Sequence, residues 1–196
     1  QHLNKLEKIN LPYWKSAPSI SEDIISLGQY RWDPIPITKR GDNFITGMRT
    51  ITTTGDVGMQ TGMASHVYVA DKSMDKDYFY SADSELLVVP QIGGLVFKTE
   101  LGLIDIGPGE VALIPRGLVF SVLLQDEICR GFVCENYGQK FVLPNRGPIG
   151  ANCLANSRDF KVPFAYFEDK EEEGNLLVKW CGSFHWCRIE RSPLDI

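Results

Sequence analysis

From Phe44 onward the apolar residues recur with a period of two, in runs too short for helices of ordinary length. The runs cover residues 65–70, 86–89, 95–99, 103–106, 111–114, 119–124 and 130–135. Most are separated by residues that punctuate a chain: Asp71-Lys72-Ser73, Gly93-Gly94, Gly107-Pro108-Gly109 and Pro115-Arg116-Gly117. No long helical pattern lies between them, which argues against a parallel α/β sheet. Many short strands with Gly and Pro turns predict an all-β, mostly antiparallel sandwich or barrel over residues 44–143. Before it, Pro12, Pro18, Pro34 and Pro36 break up residues 1–43 into an irregular N-terminal arm, with a helical turn or two at most near Ser21. After it, residues 144–196 comprise a Gly/Asn loop, an acidic turn at 168–173 and further strand at 176–189.

Charge excludes some functions. Lys and Arg number 20 against 25 Asp and Glu, a net charge of −5, and no four basic residues cluster. A nucleic-acid surface would show a basic excess or stripe, so no nucleic-acid partner is expected. No apolar run has membrane-spanning length, and residues 1–10 are too mixed and charged for a secretory signal. No membrane partner is expected either. The five cysteines are an odd, sparse set, poor material for a disulfide framework. They predict a reducing, cytoplasmic setting, with Cys129 and Cys134 as core thiols. The chain starts with Gln rather than Met, as a processed protein or a piece of a longer one would.

Several motifs lose to plainer explanations. Gly107-Pro-Gly109-Glu-Val-Ala112 has the letters of a dinucleotide fingerprint, but a short run ended by Pro115 follows where a helix is required. Residues 50–63 hold three glycines without the lysine of a phosphate loop, and Asp56 is read as closing a turn. Cys181, His185 and Cys187 share parity on a strand, yet Cys181 and Cys187 would lie about 20 Å apart along it. Only a bulge or hairpin would rescue a metal site there, and no fourth ligand is apparent. His66 sits in a strand without a sequence-near partner, and a hydrogen-bonded structural role is expected of it.

The spacing between Tyr78 and Phe120 is more telling. Gly109, five residues, Pro115-Arg-Gly117, two residues and Phe120 follow the second metal box of cupin jelly rolls, with Phe at the histidine position. Tyr78-Phe-Tyr80, four residues and Glu85 follow the first box, with Tyr at both histidine positions and Gly93 one residue late. Imidazole and carboxylate suit Fe(II) or Zn, whereas phenyl offers no lone pair. The expectation is a cupin-like jelly-roll β-sandwich whose cage is filled by Tyr78, Tyr80, Glu85 and Phe120, clustered inside as structural packing without a metal. Gly147 and Gly150 are expected to turn the backbone of the following loop, and Asn152 and Asn156 to bond its main chain.

The segment Leu143-Pro-Asn-Arg-Gly147-Pro-Ile-Gly150-Ala-Asn152-Cys-Leu-Ala-Asn156-Ser-Arg158-Asp-Phe160 resembles the homogentisate 1,2-dioxygenase family. So do Phe44-Ile-Thr-Gly-Met48, Thr99-Glu-Leu-Gly102, Tyr166-Phe-Glu-Asp169 and Ser192-Pro-Leu-Asp195. The resemblance implies Fe(II)- and O2-dependent cleavage of homogentisate to maleylacetoacetate in tyrosine and phenylalanine breakdown. It also implies a homo-oligomer, a trimer or dimer of trimers. The family's iron sits on two histidines and a glutamate in its C-terminal part. The three histidines here, His2, His66 and His185, match none of these ligands. No catalytic or metal residue and no bound iron are therefore expected in this chain. It is expected to be a truncated piece that scaffolds and assembles, lacking the C-terminal half. The alternative is a standalone non-catalytic cupin binding a small molecule or protein partner.

Overall fold

Alternation turns one side of each strand indoors, and two sheets facing each other keep those sides from water. The computed structural model describes residues 6–16, 31, 33–148, 154–169 and 171–194. Their strands are β1 (Glu7–Ile9), β2 (Met48–Asp56), β3 (Thr61–Ala70), β4 (Asp77–Ser81), β5 (Glu85–Ile92), β6 (Leu95–Thr99), β7 (Gly102–Ile106), β8 (Ala112–Ile114), β9 (Phe120–Leu124), β10 (Cys129–Asn136), β11 (Gly174–Trp180) and β12 (Ser183–Ile189). One sheet has the order β1-β12-β11-β4-β9-β6-β7, the other β2-β3-β10-β5-β8. Every pairing is antiparallel except β11 with β4. The all-β jelly-roll sandwich expected from the period is thus what forms. Among the described residues no helix is long and apolar enough to cross a membrane.

The core between the sheets is aromatic. Phe44, Phe79, Phe97 and Phe120 are all buried. Phe120 lies 5.5 Å from Phe79 and 5.4 Å from Phe97, centroid to centroid, in tilted and edge-on contacts. Those geometries suit the ring quadrupole and add to the area term.

Three features differ from the pattern in the sequence. The arm is not wholly irregular: β1 pairs with β12, and Trp14 enters the core beside Phe79 and Phe184. An indole offers large apolar area together with one donor, and both are used: the Nε1–H donates to Glu135 at 3.1 Å. Second, β5 runs through Pro90 to Ile92 instead of stopping at residue 89. Its register against β10 shifts between Arg130 and Gly131, which accommodates a residue that has no N–H to give. Third, the final strands make a hairpin, so Cys181 stands in its turn at φ +48°, off the strand that carries His185 and Cys187.

At Gly47 the fold needs a missing side chain. A Cβ there would sit 2.0 Å from the Val69 carbonyl oxygen, and the N–H of the same Val69 donates to the Gly47 carbonyl at 3.2 Å, tying the 43–48 turn to β3. Gly107 meets nothing within 4 Å. Gly47→Ala is expected to cost about 3 kcal/mol in urea unfolding, at the upper end for overpacking, and Gly107→Ala less than about 1 kcal/mol. Equal midpoints for the two variants would contradict this account of the 43–48 turn.

Candidate functional site

Glu135 has the parity of Cys129 and Val133 on β10, so its carboxylate points between the sheets, where it is fully buried. A lone charge in such a place is prohibitive. Here it accepts from Trp14 Nε1 at 3.1 Å, Ser84 Oγ at 2.6 Å, Tyr137 OH at 3.2 Å and Lys179 Nζ at 2.5 Å. His66 Nε2 lies 3.1 Å from the same carboxylate, and Thr50 Oγ1 lies 2.9 Å from His66 Nδ1. His66 is the hydrogen-bonded structural histidine its strand context suggested.

Lys179 comes from β11 of the opposite sheet and is also fully buried. Its ammonium lies 3.5 Å from Asp83 Oδ2 and faces the rings of Tyr137 and Trp14 at 5.2 and 5.9 Å. Asp83 in turn accepts from the backbone N–H groups of Cys181 and Gly182 at 2.7 and 2.9 Å, holding the β11–β12 turn. Burial alone would push the Glu135 carboxyl up. The Lys179 charge and the His66 contact overcome it and hold the group down at about 2. Burial, then the neighbouring carboxylate, pushes the Tyr137 phenol up. The ammonium is thus the cation of this interior, held by carboxylates and aromatic faces. A carboxylate so saturated with donors has no role as a base.

A second buried carboxylate lies on the outer face of the seven-stranded sheet. Glu168 accepts from Lys98 Nζ at 2.5 Å, Tyr78 OH at 2.7 Å, Ser192 Oγ at 2.8 Å and Tyr166 OH at 3.3 Å. Burial pushes this carboxyl up, and the Lys98, Tyr78 and Ser192 contacts bring it down to about 2. Burial pushes the Tyr78 phenol up to about 12; the Ser192 contact opposes that and the Glu168 contact adds to it. Beside them is a cleft of about 280 Å³ with Asp75, Glu172 and Glu173 among its lining residues. The expected acidic turn at 168–173 therefore begins with a structural carboxylate rather than a solvated one.

The four residues expected to fill a cage do not come together. Phe120 packs in the central core, while Tyr78 and Tyr80 belong to an outer cluster with Val119, Leu176 and Leu194. Parity explains this: Phe79, the residue between the tyrosines, pairs with Phe120 and points inward. Glu85 accepts from the backbone N–H of Phe141 at 2.6 Å. Gly147 donates its N–H to the Ala155 carbonyl at 3.0 Å. Asn156 caps the short 3-10 turn Ser157–Asp159, accepting from Arg158 N at 3.2 Å. Gly150 and Asn152 lie outside the described residues. Among the described residues no three His, Cys, Asp or Glu side chains assemble a metal site. The described cysteines Cys129, Cys134, Cys181 and Cys187 are free thiols. Cys129 is in the core, whereas Cys134 is half-buried on the outer face of the five-stranded sheet.

Sequence inspection missed Glu135, Lys179, Asp83 and Trp14. Parity alone marks Glu135 as inward-facing, and an acid at an inward position demands a buried cation. Nothing local says that residue 179 supplies it.

Residues 4–196 match the family model described as homogentisate 1,2-dioxygenase N-terminal. The chain is 54% identical to the homogentisate 1,2-dioxygenase of Sinorhizobium fredii and 50% identical to that of Rhizobium meliloti. Each likeness covers 100% of this chain and 44% of the relative. The chain thus spans less than half the length of these curated relatives. Among solved structures, a cupin-2 domain protein from Shewanella frigidimarina aligns over 45% of this chain and 78% of its own, with TM-score 0.38 and 17% identity. An oxalate decarboxylase from Bacillus subtilis aligns over 48% of this chain and 26% of its own, with TM-score 0.37 and 13% identity.

The two carboxylates set an acid limit on the fold. Each has a folded value near 2 and an ordinary value of 4.5. Lowered values mean stability present above pH 4.5 and lost as the pH falls from there toward 2. For Glu135 the loss is on the order of 3 kcal/mol. Urea midpoints taken between pH 5 and pH 2 should fall steeply. Lys179→Met should cost about 3–5 kcal/mol at pH 7 by stranding a buried charge, and Glu135→Gln in the same chain should recover part of it. A Lys179→Met midpoint equal to the parent's would refute this role for the ammonium.

Proposed function

Because this chain belongs to the homogentisate 1,2-dioxygenase family, matched along residues 4–196, we propose that it is the N-terminal portion of an enzyme that opens the ring of homogentisate with O2. The product is maleylacetoacetate, both oxygen atoms entering it, in the breakdown of tyrosine and phenylalanine. The observation that carries this reading is a likeness running the length of the chain to enzymes so named.

Fe(II) would supply the activation of O2, and the described residues do not fit it. Both ring nitrogens of His66 face other side chains, and the interior cation is an ammonium that closes the sandwich. Facial-triad iron needs two histidines and a carboxylate with open positions beside them. We therefore assign this portion a scaffolding role: it presents a rigid β-sandwich against which the iron-bearing remainder and neighbouring subunits assemble as a trimer or a dimer of trimers. The free thiols of the described cysteines suit a cytoplasmic setting.

The test is oxygen uptake. With Fe(II), ascorbate and homogentisate, the full-length protein should consume O2 and form a product absorbing in the near ultraviolet. The 196-residue chain alone should consume none. Iron-dependent turnover by the short chain would overturn the scaffolding role, and an inactive full-length protein would overturn the activity.

A further inference from the structure

Aromatic side chains held rigidly in water are unusual enough to need an explanation, and residues 162–167 hold two. Phe164 is 73% exposed and Phe167 62%, with Val162 at 70% and Leu101 at 64% on the neighbouring β6–β7 turn. Their backbone is pinned at both ends. Phe164 and Leu103 exchange both backbone hydrogen bonds, at 2.7 and 2.8 Å, on the edge strand β7. At Gly102, φ +115°, a Cβ would sit 2.1 Å from the Phe164 carbonyl oxygen, so only glycine lets the segment lie this close. At the other end, Glu168 donates its backbone N–H to the Leu194 carbonyl at 3.2 Å, and its carboxylate is bonded by Ser192.

We infer that the ridge of Leu101, Val162, Phe164 and Phe167 docks the part of the same polypeptide that follows residue 196. This rests on the proposal that the protein continues as its relatives do, of which this chain covers 44%. Two observations select that occupant. Leu194, the last described residue, is 1% exposed and bonded to the residue next to Phe167, so the polypeptide passes beside these side chains there. A segment tethered there meets the ridge at an effective concentration on the order of millimolar, without the translational cost that a second copy pays. Apolar side chains on a backbone pinned before contact also lose little backbone entropy when covered.

Photo-crosslinking in the full-length protein tests the assignment. Phe164 and, separately, Phe167 are replaced by p-benzoylphenylalanine, with Met59 at the β2–β3 hairpin tip replaced as a control. Irradiation should give a crosslinked species of monomer mass on a denaturing gel. Mass spectrometry of its digest should join position 164 or 167 to a peptide beyond residue 196. The yield should be roughly tenfold or more above that from position 59, given the tether. Crosslinks between two chains, crosslinks confined to residues 1–196, or none at either position would each overturn the inference. Oxygen uptake measured on the unirradiated protein reads the proposed activity separately. A crosslinked but inactive enzyme would sink the activity and leave the docking in place.

Discussion

A single carboxylate determines how this sandwich can close. Glu135 belongs to the five-stranded sheet, its principal counter-charge Lys179 to the seven-stranded one, and a further donor, Trp14, to the arm. Closing the sheets without all three would leave a charge or a polar group dry and unpaired. Such a cluster adds little net stability over a well-packed apolar equivalent, because desolvation offsets the attraction. What it adds is discrimination among packings. A sheet offset by one strand or one residue leaves Glu135 facing phenyl rings, at a cost of several kcal/mol.

The outer carboxylate Glu168 repeats the device at another level. It draws Lys98 and Tyr78 of the sheet, Tyr166 of the crossing segment and Ser192 near the last described residue onto one group. The inner centre sets how the sheets face each other. The outer one sets where the 160s segment and the 190s lie across the sheet, and so fixes the Phe164 and Phe167 backbone in place. Within each centre the polar groups bond to one another, which accords with the scaffolding role proposed for this portion.

The strands were legible because their signal is local: period-two runs between Gly and Pro turns need no partner to be seen. Pro90 obscured the end of β5 because the shift that tolerates it lies on β10, forty residues away in sequence by rough count. The aromatic boxes misled for a related reason. Spacing puts Tyr78 and Tyr80 in register with Phe120 along the chain, but spacing carries no sign, and the pleat directs Phe79 inward instead. His66 could be judged structural from its strand, yet its acceptor is 69 residues distant. Glu135 could be judged inward-facing, yet its ammonium arrives from the far end of the chain. Long-range charge pairing leaves no local mark, and that is the part of the site the sequence did not disclose.

The parallel contact of β11 with β4 joins residues 98 positions apart, Asp77 to Asn175. On the ribosome, strands are delivered from the N-terminus at about 5–20 residues per second. β4 therefore waits roughly 5–20 seconds for β11 to be made, and for about the last 2–9 seconds Glu135 is present while its ammonium is not. Over that interval the five-stranded sheet can be assembled, but the sandwich cannot shut on an uncompensated charge. The nascent chain must hold an open, sticky sheet edge, a natural client for a holding chaperone.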